Sequence, residues 1–118
     1  MKPKTLTQTF NDGIVSIYSV GNISEPGNMP KDGLTLKVGT LHYEERTVGM
    51  GRYWTAAQAQ VRIEQILRVP RINSVSTQDI AIVNGQQYKI VQIQYPPGIE
   101  PACMDLSLER LEESYEIG

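Results

Sequence analysis

A chain of 118 residues with 11 Lys+Arg against 13 Asp+Glu, net charge −2, has the size of a single domain spanning 1–118 with one modest core. One cysteine and one histidine exclude an internal disulfide framework and a zinc site built from Cys and His. No apolar run approaches the length of a membrane span, and the opening MKPKTLTQTF lacks the apolar stretch of a signal peptide. A soluble protein made in a reducing cytoplasm is expected.

In chain order, residues 1–9 read as a loose arm. An Asn-Asp-Gly turn signal leads into a β-rich run from Ile14 to Val20. ISEPGNMPKDG is a loop in which Pro26-Gly27 marks a turn. Leu34, Leu36 and Val38 alternate on one side, Gly39 suits a bulge or bend, and Leu41 and Tyr43 continue beyond it. This gives one long bent strand or two short ones. Thr55-Ala-Ala-Gln58 fits a capping box opening a short helix. From Val61 the period changes to two. Val61, Ile63, Leu67 and Val69 point inward, Arg62, Glu64, Ile66 and Arg68 outward, and Pro70 ends the strand.

INSVSTQD is a polar loop. IAIV and QQYKIVQIQY flank Asn84-Gly85, the strongest hairpin signal in the chain. PPGIEP is a rigid loop. MDLSLERL alternates, with Met104, Leu106 and Leu108 inward and Asp105, Ser107 and Glu109 outward. Residues 111–118 read as an acidic tail that frays. The pattern predicts a mainly β fold: a small β-barrel or sandwich of six or seven strands, with one short α-helix inserted between strands.

Charge is unevenly spread. Residues 1–71 hold nine basic and six acidic groups, and residues 72–118 hold two basic and seven acidic groups. One reading is ordinary scatter over a solvated surface. The sharper reading is self-complementarity, in which the basic half of one copy faces the acidic half of the next.

Nothing in the chain calls for catalysis, a cofactor or a metal. His42 sits on a strand beside Glu44 and Glu45, which point to opposite faces. Gly49-Met50-Gly51 lacks the Lys-Ser/Thr pair and βαβ context of a phosphate loop. Ser74 and Ser76 have no nucleophile elbow. Arg46, Arg52, Arg62, Arg68 and Arg71 oppose only Glu64 within 46–71, with Tyr53 and Trp54 among them. Arginine with aromatics suits either a single-strand nucleic-acid groove or a protein interface. The acidic balance of the whole chain favours the interface.

ERTVGMGRYWTA.QA, LRVPR…VSTQD, NGQQYKI..IQ and MDLSLER, taken in order over Phe10 to Arg110, resemble the head-closure or head–tail joining (connector, stopper) proteins of tailed bacteriophages. The form is that of phages or prophages of Gram-positive hosts. The resemblance implies a structural virion protein of the neck, assembled in the bacterial cytoplasm. It implies a homo-oligomeric ring, dodecameric to match a portal. Such a ring contacts a portal or adaptor above and a tail terminator or completion protein below, with packaged dsDNA in the lumen and no membrane. It implies a channel or stopper segment of Thr47, Val48, Gly49, Met50, Gly51, Arg52, Tyr53, Trp54 and Thr55. Arg46, Arg62, Ile66, Arg68, Arg71, Glu109, Glu112 and Glu113 are then candidates for facing DNA or a neighbouring subunit; the outward Ile66 fits either such a contact or a covered second face of the sheet. The arm before Phe10 and the tail after Arg110 would order on assembly. An adaptor or tail-completion role in the same neck is the near alternative, and a small single-strand-binding barrel the distant one.

Overall fold

The structure is a computed structural model that describes residues 6–47 and 62–117. The helix expected from Thr55 lies outside the described residues. Nine strands lie among the described residues: β1 Leu6–Thr7, β2 Gly13–Asn22, β3 Asp32–Arg46, β4 Gln65–Pro70, β5 Ile80–Val83, β6 Gln86–Gln94, β7 Ile99–Glu100, β8 Cys103–Arg110 and β9 Glu116–Ile117. The main sheet runs β2-β5-β6-β8-β4-β3-β9, and β2 also pairs with β3. β2, β5, β6, β8, β4 and β3 therefore close into a ring in which every neighbouring pair is antiparallel. The expected β-barrel is present.

Local chemistry sets the corners. Asn84 (φ 51°) and Gly85 (φ 79°) take the two left-handed positions of a tight turn between β5 and β6; Asn and Gly are the residues that tolerate that pair of angles. At the β2–β3 hairpin the Asn28 amide donates to the Glu25 carbonyl at 3.1 Å. Pro26 and Gly27 (φ 90°) lie between them, the geometry of a type II turn. Asn22 Oδ1 ties the base of this loop, accepting from the amides of Ser24 (3.0 Å) and Lys31 (3.2 Å).

Strand alternation fills the barrel. Val15, Ile17, Leu41, Tyr43, Leu67, Val69, Ala81, Val83, Tyr88, Ile90, Met104, Leu106 and Leu108 form one buried cluster. Burying each large side chain contributes about 1.5–3 kcal/mol. β3 is one long strand, bent where the register against β2 slips near Ser16 and again between Ile17 and Tyr18. Gly39 lies in the first slip, its carbonyl accepting from Ser16 Oγ at 2.8 Å. A third slip, between Ile90 and Gln92 in β6, shifts parity so that Ile93 packs on the core beside Tyr88 and Ile90.

Four sequence expectations change. Residues 6–9 are not loose, because β1 pairs in parallel with β7 and the Gln8 amide donates to the Glu100 carbonyl at 2.8 Å. The PPGIEP loop accordingly contains β7. Val75, in the stretch read as a polar loop, is buried in the core. The tail does not fray: β9 pairs in parallel with Gly33 and Leu34 of β3. Short strands built on two residues give no periodicity to read, so backbone partners found far along the chain decided these segments.

The turn gives a first test. Gly85→Val forces a β-branched residue to φ 79° and should lose about 1–3 kcal/mol of unfolding free energy in urea. Gly85→Asn should lose clearly less.

Candidate assembly interface

β4 and β8 pair so that Leu67 and Val69 face Leu106 and Met104 inside the barrel. The alternate residues Ile66, Arg68, Asp105 and Ser107 therefore sit on the outer wall, in the cross-strand pairs Ile66–Ser107 and Arg68–Asp105. All four are nonetheless buried: Ile66 is 1% exposed, Arg68 8%, Asp105 7% and Ser107 0%. Of the two readings of Ile66, an accessible contact or a covered second face of the sheet, its burial fits the covered face.

Arg68 is buried in the same wall. Its Nε donates to Asp105 Oδ1 at 2.7 Å and its Nη2 to Asp105 Oδ2 at 3.0 Å, a two-pronged pair. The planar fork of a guanidinium matches a carboxylate in a way a lysine cannot. Nη1 donates to Gln8 Oε1 at 3.2 Å, and Gln8 Nε2 donates in turn to Glu44. β3 places Glu44 directly opposite Arg68, so Arg68 joins β4, β8 and the segment after β1. Hydrogen bonding to Asp105 raises the Arg68 pKa further, against the opposing effect of burial. Within its own chain Arg68 is a staple of the wall, 8% exposed and held by Asp105 and Gln8.

The remaining candidates scatter. Arg46 is exposed and lies 3.6 Å from Glu44 of its own strand. Arg71 is exposed and sits over the Tyr95 ring, 4.7 Å from its centroid, a cation–π contact. Arg62 lines a shallow depression with Glu64, Glu109, Arg110 and Glu112; across it Arg110 Nε approaches Glu64 Oε2 at 3.3 Å. Glu112 and Glu113 are exposed and Glu109 half-buried. Thr47 is exposed. Val48, Gly49, Met50, Gly51, Arg52, Tyr53, Trp54 and Thr55 lie outside the described residues. The structure brings Arg62, Glu109 and Glu112 together around one depression, while Arg68 and Ile66 are buried in the wall.

The uneven charge of the sequence is matched in part within one chain. Basic groups of the first 71 residues meet acidic groups of the remainder in Lys31–Glu116, Lys37–Asp79 and Arg68–Asp105. Lys37 Nζ donates to Asp79 Oδ2 at 2.8 Å and to the Ser74 carbonyl at 2.6 Å. Asp79 Oδ2 also accepts from the Ser76 amide at 2.8 Å, so this buried carboxylate organises the loop between β4 and β5. Exposed pairs such as Lys31–Glu116 add little, whereas the buried Arg68–Asp105 pair is costly to break.

Two residues that sequence reasoning passed over carry strong contacts. Gln8 stood in the supposed arm. Gln87 donates from Nε2 to the Tyr115 carbonyl and accepts at Oε1 from the Tyr115 amide, both at 2.8 Å. Neither had a distinguishing signal, because a glutamine in polar surroundings reads as surface until its partner is known. No protein-family model matches the chain, and no curated protein matches it.

Arg68→Ala or Asp105→Ala should each cost about 3–5 kcal/mol in urea unfolding by leaving a buried charge unpaired. The double change Arg68→Met with Asp105→Leu should recover most of that loss. Burial also raises the pKa of the Cys103 thiol and the Tyr43 phenol. Above about pH 8.5 the unfolded chain gives up its thiol proton first and binds fewer protons than the folded one. Stability should therefore fall as pH rises through that range, and Cys103 should react with a thiol reagent only on unfolding.

Proposed function

We propose that this chain is a non-catalytic component of the neck of a tailed phage, a head-closure ring protein that binds below the portal and presents a surface to the tail. The observation that carries the reading is the β2–β3 hairpin. β2 pairs with β5 only from Val15 to Tyr18 but with β3 as far as Asn22, so the hairpin outruns the barrel. It carries apolar groups in the open, with Val20 36%, Leu36 55% and Met29 87% exposed. Exposed apolar side chains along one projecting hairpin suit protein contacts, and the sequence resemblance supplies the setting. An adaptor or tail-completion role in the same neck uses the same features.

Arg71 stacked over Tyr95 is what a single-strand-binding barrel would use. The engagement of Arg68 with Asp105 removes one arginine from such a groove, which weakens that alternative.

Negative-stain microscopy of the protein mixed with portal assemblies should show added density below the portal. Leu36→Asp with Met29→Asp should abolish it while leaving the unfolding curve nearly unchanged. Absence of any portal complex, together with single-stranded DNA binding whose affinity falls steeply with salt, would refute the neck reading.

A further inference from the structure

After β8 the chain runs from Leu111 to Ile117 across the barrel wall, and its fastenings are few. The Leu111 amide donates to the Gln87 carbonyl at 3.1 Å. The Gln87 side chain grips both backbone groups of Tyr115, in effect replacing the edge of a strand. β9 then adds two residues to β3 at Gly33 and Leu34. Gly33 is packed from two sides, since a Cβ there would run into the Ile23 side chain and stand 2.8 Å from the Glu116 carbonyl oxygen.

Three features mark this strap as transferable. First, its hydrogen bonds go through backbone groups, so any copy of the same segment satisfies them. Second, it spans a half-open cavity of about 620 Å³ lined by Val20, Ile80, Val91, Leu111 and Tyr115, with Lys89 at its side. A strap over a partly empty cavity forfeits little packing when it lifts. Third, charge is complementary: the strap carries Glu112, Glu113 and Glu116, and its seat carries Lys31, paired with Glu116, and Lys89. Exposed Glu112, Glu113 and Ser114 form the joint between Leu111 and Tyr115.

We propose that residues 111–117 are an exchangeable strap, and that the seat made by Gln87, Gly33, Leu34 and Lys31 accepts the strap of a second copy of this chain. Each copy keeps the bonds it had alone and gains a link to its neighbour, which is the low-cost route to association that exchange of identical elements provides. The inference does not rest on the neck reading, because it needs no portal.

The test uses the exposed Lys31–Glu116 pair in the full chain. Lys31→Cys protein and Glu116→Cys protein, mixed at high concentration under mild oxidation, should give a disulfide-linked heterodimer several-fold above that from Glu116→Cys mixed with Asn11→Cys, a control at another exposed position. A heterodimer yield no greater than the control overturns the proposal.

Discussion

The architecture depends on one strand serving two neighbours. β3 pairs with β2 from Asp32 to Tyr43 and with β4 from Glu44 to Arg46. Without the second set of pairings the sheet stays open, with β4 and β3 as bare edges, a hazard that closure removes. Such a strand has to bend, and the two register slips against β2 supply the bend by inserting extra residues on the β3 side. Gly39 lies at the first slip in open surroundings, where a Cβ would meet only Leu36 Cδ2 at 3.6 Å.

Closure also accounts for the placing of charge. With Leu67, Val69, Met104, Leu106 and Leu108 filling the interior, the alternating partners are forced to the outer wall. There Arg68 and Asp105 lie opposite each other by register, and the segment after β1 crosses close enough for Gln8 to join them. A charged row becomes an internal brace once another piece of chain covers it. Of the large apolar groups left in the open, Ile14, Val20, Met29 and Leu36 lie on the β2–β3 hairpin, Ile117 on β9 and Tyr95 just after β6.

Much of the barrel was legible in the residues. Asn84-Gly85, Pro26-Gly27, Gly39 and the alternation of Met104, Leu106 and Leu108 each rest on local sterics or a period of two, and each lies where expected. Arg68, Ile66, Gln8 and Gln87 were not legible, because their surroundings are set by residues distant in sequence. Alternation states which face a side chain takes; it does not state whether that face is wet. The same limit applies to the two short parallel pairings, in which the partner strand provides all the information. Of the proposed interface residues, the exposed Arg46, Arg62, Arg71, Glu112 and Glu113 remain on the surface, while Arg68 and Ile66 belong to the wall.

The order of the strands has a consequence for how the barrel is made. β2 with β3 and β5 with β6 are hairpins whose partners are near in sequence, so each can form early at small loop-closure cost. The seams that complete the ring are remote: β2 meets β5, β3 meets β4, and β4 meets β8 only after the intervening chain has been laid down. A topology dominated by such contacts folds on the millisecond-to-second scale typical of small β-barrels, not in microseconds. The Arg68–Asp105 brace spans the β4–β8 seam; to the extent that it closes after the folding transition state, removing it speeds unfolding more than it slows folding.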